Sequence, residues 1–209
     1  MTSCLHGLYA ITDADLIPEK NFNQTIEQAL AGGVKIIQYR DKSQNTKKRY
    51  RQADDLKHLC DQYDATFIIN DDIDLAKKIN ADGVHLGTSD NSYKAAREIL
   101  GNDKIIGISC YNQFELAQQA QQQGANYIAF GRFFNSSIKP DAAAASTKLL
   151  IRARQELSIP VCAIGGITLN SAAELIEHKV DMLAVITAIF ASDNIKLTCQ
   201  NFNELFIKT

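Results

Sequence analysis

The feature that most constrains this chain is an alternation. Short apolar runs at Leu8–Thr12, Val34–Tyr39, Thr66–Asn70, Gly83–Leu86, Lys104–Ser109, Tyr127–Phe130, Val161–Ile164 and Met182–Ile186 are separated by longer segments with a helical apolar period, among them Phe22–Ala31, Lys47–Gln62 and Ser92–Leu100. The runs are nearly continuously hydrophobic, as parallel strands covered on both faces are. Strand–helix alternation repeated eight times over 209 residues predicts an α/β fold, a single-domain (β/α)8 barrel spanning residues 1–209. An open doubly wound sheet is the rival. It would hold fewer strands and carry a Gly-x-Gly-x-x-Gly turn, which is absent.

Composition narrows the function classes. A net charge of −2 argues against a general binder of nucleic acid or of anionic membranes. No apolar stretch reaches membrane-spanning length. The five cysteines, Cys4, Cys60, Cys110, Cys162 and Cys199, are widely spaced and show no paired metal-ligand spacing, so reduced thiols are expected. The start, Met1-Thr2-Ser3-Cys4-Leu5-His6, has no basic region followed by an apolar core, and a cytoplasmic location is the expectation.

In such barrels the chemistry gathers at the C-terminal ends of the strands. The second run ends in Gln38-Tyr39-Arg40-Asp41-Lys42. A strand's period of two points Gln38 and Arg40 one way and Ile37 and Tyr39 the other. A fork of amide and cationic donors on one side of a strand end suits a phosphate or diphosphate. The third run ends in Asn70-Asp71-Asp72, and Asp90 follows the fourth. Asp71 and Asp90 could hold Mg2+, which takes one or two carboxylates and fills its shell with water and phosphate oxygens. Helix capping by Asp71 or Asp72, and by Asp90, explains the same residues at least as well. Ser109 ends the fifth run. Asn135 to Ser146, carrying Ser136 and Lys139, reads as a mobile active-site loop. Gly165-Gly166 and the segment from Ile186 lie where barrels commonly build a phosphate site. His85 reads as a satisfied interior histidine, Asp41 as structural, and Lys47, Lys48, Arg49 and Arg51 as a solvated helix face.

Assembled in this order, these pieces resemble the thiamine-phosphate synthase family from Leu8 to about Ala188. The strongest are Gln38-Tyr39-Arg40-Asp41-Lys42, Asn70-Asp71 and Ala81-Asp82-Gly83-Val84-His85-Leu86-Gly87 with Asp90. Gly107-Ile108-Ser109, Lys139-Pro140-Asp141-Ala142, Ala163-Ile164-Gly165-Gly166-Ile167 and Val185-Ile186-Thr187-Ala188-Ile189 support them. The resemblance implies a transferase of thiamine biosynthesis, joining 4-amino-5-hydroxymethyl-2-methylpyrimidine diphosphate to a hydroxyethylthiazole phosphate with release of diphosphate by a dissociative route. It implies that Arg40, Lys42, Asn70 and Lys139 hold the diphosphate and that Gln38 and Ser109 orient the pyrimidine. Asp71 and Asp90 would carry Mg2+, while Gly166, Ile186, Thr187 and Ser136 would bind the thiazole phosphate. Arg40, Lys42, Ser109 and Lys139 would be the catalytic set. The implied partners are these small molecules, with no nucleic acid and no membrane; the oligomeric state is left open, a homodimer included.

The chain departs from the family pattern in places. The loop usually reads Thr-x-Thr-Lys, and here it is Ser136-Ser137-Ile138-Lys139. Thr88 stands for a usual Gln, Arg132 for a usual Pro and Tyr111 for a common His. Two other functions compete: a related barrel that isomerises a thiazole carboxylate phosphate, and a noncatalytic barrel that binds a phosphorylated ligand and regulates a partner.

Overall fold

The computed structural model describes residues 5–87, 90–135 and 145–207, with the side chains of residues 90–92 outside that description. Eight parallel strands close into a barrel in sequence order: β1 (Gly7–Ile11), β2 (Ile36–Tyr39), β3 (Thr66–Asn70), β4 (Gly83–Leu86), β5 (Ile105–Tyr111), β6 (Tyr127–Gly131), β7 (Val161–Ile164) and β8 (Met182–Val185). Closure is made by β8 on β1, where Gly7 pairs with Met182 and Ala10 with Val185. The (β/α)8 expectation is therefore correct.

Helices α1 (Phe22–Ala31), α2 (Thr46–Gln62), α3 (Ile73–Lys78), α4 (Asp90–Leu100), α5 (Phe114–Gln123), α6 (Thr147–Glu156) and α7 (Leu169–Glu177) follow the first seven strands. Each lays an apolar stripe on the sheet. In α1 the stripe is Phe22, Ile26, Ala29 and Leu30, the spacing of one face of a 3.6-residue helix. Two elements lie past the sequence reading: the single-turn α8 (Thr187–Phe190) and α9 (Ile195–Ile207). The latter buries Cys199 and Phe202, and Asn203 Nδ2 donates to Gly32 O at 2.9 Å.

Strand pleating divides the buried side chains into two bodies. Ile37, Tyr39, Phe67 and Ile69 point outward into the layer shared with the helices. Tyr9, Ile36, Ile68, Tyr127, Cys162, Met182 and Ala184 fill the barrel interior. The ladder between β5 and β6 is irregular. Ser109 pairs with Ala129 but Tyr111 pairs with Phe130, so β5 carries an extra residue at its C-terminal end. Such a bulge re-aims the side chains beyond it, and here Tyr111 lines the rim cavity.

Candidate active site

A cavity of about 380 Å³ opens at the C-terminal end of the barrel. Gln38, Arg40, Asn70, Ser109, Gly166, Ile186 and Thr187 all line it, so seven of the expected residues come together. Gln38 and Arg40 share a face, as the strand period requires, with Tyr39 on the other side in the outer core. Lys42 is exposed beyond the strand tip. Ser136 and Lys139, with most of the loop from Asn135 to Ser146, lie outside the described residues, as does the side chain of Asp90, the first residue of α4. Arg132 lines the cavity and does not turn to solvent.

The β2 tip is held from two sides. Arg40 N donates to Thr12 Oγ1 at 2.8 Å, and Arg40 Nη1 lies 3.5 Å from Asp13 Oδ2, which aims the guanidinium over the rim. Asp41 does not face the cavity. It accepts from Ser43 N at 2.7 Å and pairs with Lys48 Nζ at 2.9 Å. Burial opposes its charge, but the hydrogen bonds from Lys48 and Ser43 outweigh it and hold the carboxyl below its ordinary value. The structural reading of Asp41 stands. The solvated reading of Lys48 and Arg49 does not: Lys48 clamps Asp41, and Arg49 pairs with Asp72 at the start of α3. Both contacts join α2 to neighbouring strand ends, a tertiary arrangement that local charge patterning does not report.

Asp71 and Asp72 separate cleanly. Asp72 is the N-cap of α3, accepting from Leu75 N at 2.9 Å. Asp71 caps nothing. Its backbone sits at φ 62°, in the left-handed region that non-glycine residues seldom adopt, and its exposed carboxylate accepts from Asn70 Nδ2 at 2.6 Å. Such strain is found where a side chain must be aimed. An oriented, solvent-facing carboxylate next to a strand end is a hard oxygen donor of the kind Mg2+ takes, and Asp90 begins the helix that follows the adjoining strand. Among the described residues no three His, Cys, Asp or Glu side chains gather as a metal site.

Gly165 and Gly166, at φ 106° and 65°, turn the chain sharply after β7. A Cβ on Gly166 would fall 2.2 Å from Asn135 O, so the residue is glycine partly because the β6 loop packs on it. The short helix α8 begins at Thr187, beside this turn.

The interior beneath the cavity holds what the sequence reading did not assign to the site: Tyr9, Tyr127 and His85. Their hydroxyls and ring nitrogens are linked to Gln38 and Ser109 by contacts of 2.6–2.9 Å. Burial, before any other influence, pushes both phenols above their ordinary value, so both keep their protons. His85 is satisfied at both ring nitrogens, as expected, yet it also lines the cavity. The signal was present in the chain, because Tyr9, Tyr127 and His85 occupy inward positions of their strands. Which of them meet depends on barrel closure.

The arrangement presents cation and amide donors at the ends of β2 and β3, a backbone turn across the barrel at β7, and an apolar interior below. The thiamine monophosphate synthase family matches residues 8–189 of the chain. The chain is 47% identical over 206 residues to a thiamine-phosphate synthase of Nitrosococcus oceani, covering 99% of this chain and 95% of that one. It is 50% identical over 192 residues to one of Saccharophagus degradans, covering 91% and 88%. Among solved structures, thiamine phosphate pyrophosphorylase of Pyrococcus furiosus superposes with a TM-score of 0.88 at 34% identity, over 98% of this chain and 96% of that one.

Proposed function

The chain belongs to the thiamine monophosphate synthase family, and we propose that it joins a pyrimidinylmethyl diphosphate to a hydroxyethylthiazole phosphate at the C-terminal rim of its barrel. The observation that carries this reading is the convergence of Gln38, Arg40, Asn70 and Ser109 with the Gly165-Gly166 turn on one cavity. The chemistry is one of a leaving group. The C–O bond to diphosphate breaks with its electron pair going to the diphosphate, and the thiazole nitrogen lone pair forms the new C–N bond. No protein base is needed for that step.

In this reading Arg40 and Lys42 take the diphosphate, with Lys139 from the β6 loop and Asn70 beside them. The Asp13 contact keeps the Arg40 guanidinium turned to the rim, leaving other N–H groups of its fork for phosphate oxygens. Gln38 and Ser109, below, orient the pyrimidine. Gly166, Ile186 and Thr187, with Ser136, hold the thiazole phosphate, and the backbone amides at this turn are suited to an anion. The apolar side chains of Ile11, Ala129, Ile164 and Ala184 line the interior, which excludes water from a reactive carbocation. Asp71 and Asp90 would hold Mg2+, which when bound neutralises charge developing on the departing diphosphate. The substrates are small molecules, and no described helix is long and apolar enough to cross a membrane.

The test is direct. Protein supplied with both substrates and Mg2+ is expected to release thiamine phosphate and diphosphate in equal amounts. Asp71→Asn, which keeps the shape and tolerates φ 62°, is expected to lower kcat by about 10²-fold with Tm unchanged. Full activity in a chelator would remove the metal from the proposal. Binding of thiazole phosphate with no turnover would replace the enzyme by a ligand-binding regulator.

A further inference from the structure

Five polar side chains from five strands form a single file through the barrel interior. Gln38 Nε2 donates to Tyr9 Oη at 2.6 Å, and the Tyr9 and Tyr127 hydroxyls meet at 2.9 Å. Tyr127 Oη lies 2.9 Å from His85 Nδ1, and His85 Nε2 lies 2.9 Å from Ser109 Oγ. The two ends, Gln38 and Ser109, both line the cavity. Tyr127, in the middle, is fully buried. Its ring fits because residue 107 is glycine: a Cβ there would lie 2.0 Å from the Tyr127 ring.

Resting on the synthase reading, we propose that Tyr9, Tyr127 and His85 are positioning residues that set which end of this file donates and which accepts, and so match the cavity to an aminopyrimidine edge. Each hydroxyl has one proton. In a file where each hydroxyl donates once and accepts once, the first bond decides all the others. With Gln38 donating to Tyr9, Tyr9 donates to Tyr127 and Tyr127 donates to His85 Nδ1. The ring proton of His85 then sits on Nε2 and goes to Ser109 Oγ. Two groups remain for a ligand: the amide oxygen of Gln38, an acceptor, and the hydroxyl proton of Ser109, a donor. An aminopyrimidine offers the complement, an amino N–H beside a ring nitrogen lone pair.

The file also explains why the ends stay matched. Turning over one member alone sets two protons, or two lone pairs, face to face in a buried interior, where an unmade hydrogen bond is costly. Reversing the pattern requires the Gln38 amide, both phenols and the His85 tautomer to change together. An oxo-pyrimidine of the same size, with a carbonyl and a ring N–H at that edge, meets an acceptor with its carbonyl and a donor with its N–H.

The experiment compares kcat/KM for the amino substrate with that for its 4-oxo analogue, each as the diphosphate with the same thiazole phosphate. Comparing this ratio between proteins cancels the intrinsic reactivity of the two pyrimidines. Tyr127→Phe removes one oxygen and cuts the file at its middle. It is expected to reduce the wild-type preference for the amino substrate by about tenfold or more. Tyr9→Phe cuts it one step earlier and is expected to do the same. The double variant is expected to lose no more than either single one, because a severed file is not severed twice. Equal losses on both substrates in both variants would show a packing role and overturn the proposal, as would an unchanged ratio. Tyr9→Phe decides the matter if Tyr127→Phe does not fold. Wild-type protein that makes no thiamine phosphate from the amino substrate would overturn the functional reading, and this inference with it. A wild-type enzyme that discriminates while the variants keep its ratio would overturn the inference alone.

Discussion

Asp71 and Asp72 are neighbours in the chain with different tasks, and their contrast shows how much a single residue depends on its surroundings. Both carboxylates suit a helix cap, but only Asp72 makes one, while also pairing with Arg49; Asp71 is turned outward by a left-handed backbone. The sequence places an Asn-Asp-Asp at a strand end and cannot say which carboxylate the backbone will aim where. Asp41 is the converse case, read as structural from the chain and held in the fold by Ser43 N and Lys48. Its held-down carboxyl gives a pH-dependent prediction. A carboxylate whose value is lower in the folded chain than in the unfolded one adds stability above the ordinary value of 3.8, and loses that contribution as pH falls through the folded value. Asp41→Asn is therefore expected to cost about 1 kcal/mol at pH 7, the size of a solvent-screened pair with hydrogen bonds. Thermal melts from pH 7 to pH 3 would show the gap between variant and wild type closing at the acid end. A gap independent of pH would mean that Asp41 acts through shape and not charge.

Elements were easier to read than residues, and their ends were harder than their cores. Three strands, Thr66–Asn70, Gly83–Leu86 and Val161–Ile164, and helix Phe22–Ala31 have the same bounds in the sequence reading and in the structure. The fifth strand runs two residues past Ser109, because a bulge there pairs with β6 in a way no local pattern announces. Helix α9 has the right apolar spacing, with Ile195, Cys199, Phe202 and Phe206 at helical intervals, so it was open to detection. Helix α3 illustrates what holds a short element. Six residues gain little from propensity, so the Asp72 cap and its Arg49 partner carry much of the local stability. Asp72→Ala is expected to cost about 1–2 kcal/mol in urea unfolding. Asp72→Asn, which keeps an acceptor for Leu75 N, is expected to recover most of that. Equal losses in the two variants would assign the effect to the Arg49 pair instead of the cap.

At the scale of the whole molecule, packing the helices on the barrel buries groups that the unfolded chain exposes to water. Cys60, Cys110, Cys162 and Cys199 are buried and free, and burial pushes the thiols of Cys60, Cys110 and Cys199 up to about 12. A thiol whose value is raised by folding contributes stability fully below its ordinary value of 9.0, and that contribution is lost as pH climbs toward the folded value. Tm is thus expected to be level from about pH 7 to 8.5 and to fall steadily above pH 9. The measurement is a series of melts under reducing conditions; a Tm unchanged through pH 10.5 would mean that the unfolded thiols are also shielded.

The barrel, and seven of the residues that converge on its rim cavity, were legible in the chain alone. Both depend on short-range rules: a period of two or 3.6, a cation pair at a strand tip, a glycine pair after the seventh strand. Long-range packing settled the rest: that Asp71 is aimed outward and Asp72 caps α3 and pairs with Arg49, that Lys48 and Arg49 brace strand ends, and that Gln38, Tyr9, Tyr127, His85 and Ser109 form one file. The reason is distance along the chain. Tyr9 and Tyr127 are 118 residues apart and meet through the register of a closed sheet. That register is set by the packing of all eight strands together and by no segment alone.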